Sequence, residues 1–197
     1  MALTRRTFVT AGVGTLVVAA ARLRADAQGL GQFSAAGPAC TDAAETTPPV
    51  PRDGTFKSGS PARSTFVDAA AAPLTLTGTV SGVTCGRIKG ARVDFWHADA
   101  MGAYDMRGDR FRGHQLTDAV GGYRLLTIVP GAPAGRARHI GVNVNVAGKA
   151  DFWTEIFFPD DATQARDVRF RKELLIRLVP GGTRQRQAAT FDFVLDL

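Results

Sequence analysis

The chain has 197 residues, of which 45% are hydrophobic and 21% charged, and it carries a formal net charge of +6. That is ordinary globular composition, long enough for one domain with a real core plus a targeting segment. Residues 1–27 contribute four Arg and one Asp, leaving +3 for the rest, where Lys and Arg are interspersed with acids and no basic, aromatic-interleaved face points to nucleic acid.

The first residues read as an export signal. Thr4-Arg5-Arg6-Thr7-Phe8-Val9 matches the twin-arginine pattern, and Phe8 to Ala21 is a mildly apolar stretch interrupted by Gly12 and Gly14. It is too short and too weak to span a membrane. Ala25-Asp26-Ala27 supplies a cleavage site, so the expected mature chain begins at Gln28 and is periplasmic or secreted, with no membrane span. Residues 28–72 are rich in Pro, Gly, Ala, Thr and Ser and show neither periodicity, which predicts an irregular arm. The only cysteines are Cys40 and Cys85. An exported chain permits one disulfide between them, and two buried free thiols are the alternative.

From residue 73 the pattern is β. Leu74 to Val80 alternates apolar and polar, as a half-buried strand does. Lys89 to Ala98 is the next predicted strand, with Val93, Phe95 and His97 on one face and Asp94 and Trp96 on the other. A loop is expected from Asp99 to about Arg112, a turn at Gly121-Gly122, and a strand from Tyr123 to Val129 ended by Pro130-Gly131. His139 to Val146 has the cleanest alternation: Ile140, Val142, Val144 and Val146 point one way, and His139, Gly141, Asn143 and Asn145 the other. Phe152 to Phe158 is another strand, a short helix is allowed near Asp161 to Asp167, and Leu174–Val179 with Ala189–Leu197 read as a closing antiparallel pair. Short strands with Gly/Pro turns and almost no helical period give an all-β fold, a β-sandwich over 73–197.

Several ordered blocks resemble the intradiol ring-cleavage dioxygenase family. They are Leu76-Thr77-Gly78-Thr79-Val80, the run from Gly90 to Ala100 followed by Gly102-Ala103-Tyr104, Phe111-Arg112-Gly113, Gly122-Tyr123, Thr127 to Gly131, and Thr154 to Asp160. The central stretch Pro130-Gly131-Ala132-Pro133-Ala134-Gly135-Arg136-Ala137-Arg138-His139-Ile140-Gly141 is similar to that family's metal-binding strand, Pro-Gly-x-Tyr-Pro-x-Arg-x-x-His-Ile-His. The resemblance implies the intradiol type of β-sandwich. It also implies a cofactor, Fe(III) held by two Tyr and two His, and a small catechol-like aromatic substrate into which dioxygen is inserted between the two hydroxyl-bearing carbons. Hard phenolate ligands favour the ferric state.

Carried over residue by residue, Tyr104 matches the first Tyr ligand, His139 the first His ligand, and Arg136 the Arg that stabilises developing negative charge. The other two ligand positions hold Pro133 and Gly141, neither of which offers a ligand atom. Asn143 shares the face of His139 but lies about 13 Å along the strand. Tyr123 matches a structural Tyr of the family. Cys40 and Cys85 sit where exported members also carry Cys. A rebuilt set would add the Glu155 carboxylate to Tyr104 and His139, the plainer reading of Glu155 being a solvated or arginine-paired residue; His97 and His114 are further candidates, with plainer readings as a hydrogen-bonded strand residue and a loop residue. Two functions stand side by side: a non-haem iron dioxygenase with an altered site, and a non-catalytic binding or interaction module. On this reading, Gly141→His with Pro133→Tyr is expected to restore iron affinity.

Overall fold

The structure, a computed structural model, describes residues 45–67, 74–84, 86–181 and 186–197. The expected signal segment, Cys40 and Cys85 lie outside the described residues. Among the described residues, nine strands run in chain order: β1 (Leu74–Gly82), β2 (Arg92–Trp96), β3 (Arg112–Leu116), β4 (Gly122–Thr127), β5 (His139–Asn145), β6 (Phe152–Phe157), β7 (Arg177–Leu178), β8 (Gln187–Thr190) and β9 (Phe193–Leu195). They form two sheets. One has the order β4-β1-β8-β7, with β9 pairing the far end of β1; the other has the order β3-β2-β5-β6 and is antiparallel throughout.

The alternation read from the sequence sets the inner faces. Leu74, Leu76 and Leu125 of the first sheet and Val93, Phe95, Ile140, Val142 and Ile156 of the second are all buried in one core. Each such side chain contributes about 1.5–3 kcal/mol on burial. Phe95 of β2 meets Tyr123 of β4 across the interface at 5.3 Å between ring centroids. The Tyr123 hydroxyl donates to the Phe191 carbonyl at 2.7 Å, which agrees with its structural reading. Gly78 makes room for that carbonyl: a Cβ there would collide with the Phe191 backbone and stand 2.9 Å from the Tyr123 oxygen.

A sandwich sheet ordinarily leaves its outer face to solvent. Here the outer face of the second sheet is covered by the irregular segment 45–67. Val50 N–H donates to Trp153 O at 2.8 Å on the β6 edge and Arg63 N–H to His114 O at 2.9 Å on the β3 edge, while between them Thr55 Oγ1 accepts Trp96 Nε1–H at 2.9 Å and the Ser60 hydroxyl donates to Asp94 Oδ1 at 2.5 Å. His139, Gly141 and Asn143, which the sequence places on the outer face of β5, are therefore buried like their inward neighbours. The layer between that face and the arm contains the site.

Three expectations need correction, and one strand was not expected. The loop expected to end near Arg112 gives way to strand β3, which no alternation marks, because β2 supplies a full ladder from Arg92↔Leu116 to Trp96↔Arg112. The helix expected at Asp161–Asp167 is one 3-10 turn, Gln164–Arg166. The strand expected from Leu174 starts as a 3-10 turn, Lys172–Leu174, and only Arg177–Leu178 pairs with β8. The strand expected over Ala189–Leu197 divides at Phe191-Asp192, where the Asp192 carboxylate accepts the Thr79 N–H at 2.9 Å and the pairing to β1 shifts from β8 to β9.

Candidate functional site

His139 opens β5, and its ring is oriented by its own backbone. Nδ1–H donates to Ala137 O at 2.7 Å, leaving the Nε2 lone pair to accept the Tyr104 hydroxyl at 2.8 Å. Burial lowers the pKa of His139, opposed in part by the Glu155 carboxylate, so the ring is held neutral. Tyr104 comes from the loop between β2 and β3. Burial, then the carboxylates of Asp53 and Glu155, push its phenol well above the usual range. The sequence pairing of Tyr104 with His139 is thus met in space.

The two positions without ligand atoms are built differently. Gly141 pairs with Trp96 on β2 and with Glu155 on β6, so all three lie in one cross-strand row. A Cβ at Gly141 would stand 2.7 Å from Trp96 Nε1 and nearer still to Cε2 and Cζ2. The indole occupies the space that any side chain at 141 would enter. It is packed edge-on by Phe56 at 5.1 Å, lies 6.2 Å from Trp153, and donates Nε1–H to Thr55 Oγ1 at 2.9 Å. Restoring a His at 141 therefore also requires Trp96 to move, which the sequence did not reveal. Pro133 lies in the loop beside Gly102, and its carbonyl accepts the Arg136 N–H at 3.0 Å.

Arg136 is held on every side. Its Nε donates to both oxygens of Asp167, at 3.0 and 2.9 Å, and Nη2 donates to Glu155 Oε2 at 2.5 Å. Its Nη1 lies 3.9 Å from Asp53. Glu155, 3% exposed, is gripped by a second guanidinium as well: Arg169 Nε reaches Oε1 at 2.9 Å. Glu155 is thus arginine-paired and buried, not solvated.

His97 and His114 lie apart. His97 donates Nδ1–H to Ala98 O and accepts the Thr127 hydroxyl, both at 2.6 Å, while its ring stacks on Phe111 at 5.0 Å. Its burial pushes the pKa down to about 4. His114, expected in a loop, lies in β3 because that strand pairs with β2; it faces Asp94 in the ladder and hydrogen-bonds Ser60 O at 2.8 Å.

Asp53 is the residue the sequence missed. Ligand atoms of Asp53, His139 and Glu155 all lie within 4.8 Å of one another. Asp53 sits in an irregular turn with no period, and its partners follow it by 86 residues or more, so no sequence signal marked it. Among the described residues, no helix is long and apolar enough to cross a membrane.

A family model described as Dioxygenase matches residues 53–197. Among curated proteins, a hydroxyquinol 1,2-dioxygenase of Nocardioides simplex is 30% identical over 141 residues, 58% of this chain and 48% of that one. The chain thus spans about half the length of that relative. Among solved structures, the dioxygenase domain of a dioxygenase–carbohydrate-binding protein fusion from Streptomyces sp. SirexAA-E is 41% identical. That match covers 78% of this chain and 99% of the other at a TM-score of 0.73. An intradiol ring-cleavage dioxygenase of Tetranychus urticae, 21% identical over 77% of this chain and 95% of its own, shares the fold at a TM-score of 0.71. The matched segment covers the whole β-sandwich and every residue of the site, and the chain belongs to the intradiol dioxygenase family.

Proposed function

We propose that this chain is an exported member of the family that has given up ferric ring cleavage and works as a non-catalytic binding or interaction module. The observation that carries the reading is the Trp96 indole in the place of a side chain at Gly141. An imidazole at that position is half of the family's nitrogen set, and here its space is filled by a ring that offers no lone pair in its plane. The remaining imidazole and phenol bond to each other at 2.8 Å. Pro133 cannot coordinate, and both oxygens of Glu155 accept hydrogen bonds from guanidiniums. The residues present therefore do not fit the family's ferric ligand set.

The rest of the former machinery acts as structure. Arg136, the residue matched to charge stabilisation, ties β6 and the segment at Asp167 to the start of β5. Trp96, Phe56 and Trp153 form an aromatic seal beneath the arm. Export through the twin-arginine route suits a chain that folds before it is translocated.

Oxygen consumption tests the reading. The purified chain, supplied with ferric iron and either catechol or hydroxyquinol, is expected to consume no dioxygen above the iron-only control. Turnover that disappears in Tyr104→Phe contradicts it.

A further inference from the structure

We propose that Asp53, Tyr104 and His139 form a site for a divalent first-row transition ion, the arm supplying a carboxylate where positions 133 and 141 supply nothing. The inference rests on the reading that the family's ferric set is lost, and it places a different ion on a different donor set.

The geometry comes first. Neighbouring ligands on such an ion stand about 3 Å apart and opposed ones about 4 Å, given bonds of about 2.0–2.2 Å. The Tyr104 oxygen and His139 Nε2 are 2.8 Å apart, and an Asp53 carboxylate oxygen lies within 4.8 Å of a His139 ring nitrogen. Small side-chain shifts bring the three donors around one centre.

The outer partners point the same way. Ligating imidazoles donate their other N–H to a carbonyl or carboxylate, and ligating carboxylates are themselves hydrogen-bonded. His139 Nδ1–H is held by Ala137 O at 2.7 Å. Asp53 Oδ1 accepts the Thr55 N–H at 2.9 Å and the Thr55 hydroxyl at 2.5 Å. That leaves Oδ2, whose nearest cation is Arg136 Nη1 at 3.9 Å, beyond hydrogen-bond length. Thr55 is in turn fixed by Trp96 Nε1–H, so the indole that closes the old position orients the new ligand.

The donor set narrows the choice of ion. Two oxygen donors and one imidazole suit Zn²⁺ or Mn²⁺, and the nearby guanidiniums oppose an ion of higher charge.

The test is calorimetric titration of the chelator-treated full chain with Zn²⁺ and, separately, Mn²⁺, with elemental analysis after dialysis. The expected result is saturable binding of one ion per chain by at least one of them. Asp53→Asn, which keeps the Thr55 contacts, and Tyr104→Phe each weaken it at least about tenfold, while His114→Gln leaves it unchanged. No saturable binding of either ion at millimolar concentration overturns the proposal, as does binding that survives Asp53→Asn in a variant of unaltered melting temperature. Zn²⁺ is colourless and redox-inert, so failure here leaves the loss of ferric chemistry untouched, and dioxygen turnover would sink that reading without bearing on Zn²⁺ binding.

Discussion

Substituting Gly141 by Ala probes the packing on which the functional reading depends. The new methyl would stand 2.7 Å from Trp96 Nε1, well inside van der Waals contact. The indole has little room to retreat: it is 4% exposed, packed by Phe56, and hydrogen-bonded to Thr55. Overpacking of this kind costs about 1–3 kcal/mol, while removing a strand-interior glycine returns about 0.5–1 kcal/mol. The expected net loss is about 1 kcal/mol, a fall of about 2–4 °C in melting temperature for a chain of this size. Trp96→Ala alone costs about 3–5 kcal/mol as a buried aromatic deletion. In that background the methyl enters vacated space, and Gly141→Ala turns neutral or stabilising. Urea unfolding followed by far-ultraviolet circular dichroism gives the four free energies of the cycle, provided the m-values agree. A coupling of about 1–3 kcal/mol is expected; additivity within about 0.5 kcal/mol would show that the indole does not lie over Gly141.

Glu155→Gln leaves two guanidiniums short of a carboxylate in a buried network and is expected to destabilise by about 3–5 kcal/mol; a loss below about 1 kcal/mol in urea unfolding would mean that the pairs are not formed. His97, pushed down to about 4 by burial, stays neutral in the folded chain while the unfolded chain takes up its proton near the ordinary value of 6.5. Stability is therefore full above about pH 6.5 and falls as the pH drops towards 4, with His97 contributing on the order of 3 kcal/mol; urea midpoints across that window should flatten in His97→Gln, and an unchanged slope assigns the effect elsewhere. For Cys40 and Cys85 the expectation is an intramolecular bridge: both thiols should resist alkylation until reduced, and reduction should cost about 2–4 kcal/mol, whereas two thiols that alkylate without reductant exclude it.

The strands β1, β4 and β5 were legible because their sequences alternate apolar and polar residues, as a half-buried strand must. The placing of His139 and Gly141 on one face followed from the same period, and the meeting of His139 with Tyr104 followed from resemblance. Strand β3 was not legible: Arg112-Gly113-His114-Gln115-Leu116 has no apolar face and exists because β2 offers it a ladder. Asp53 and Thr55 were invisible for a related reason, since irregular backbone has no period and their contacts are long in sequence. The side of β2 that Trp96 faces could be read, but not that its ring lies over Gly141, because that depends on volume left free on a neighbouring strand. The pairing of Glu155 was only half displayed in the sequence: Arg136 is near in sequence, while Arg169 arrives from a loop beyond β6, and together they hold a buried carboxylate that the sequence also left open as solvated.

The most direct measurement is ferric loading of the purified full-length chain, read by visible absorption and by elemental analysis of the same sample. A ferric ion on a phenolate gives a charge-transfer band, so the two readings must agree. The absence of both the band and stoichiometric iron after dialysis is the predicted result. One iron per chain, with a band that vanishes in Tyr104→Phe, would contradict the loss of the ferric centre.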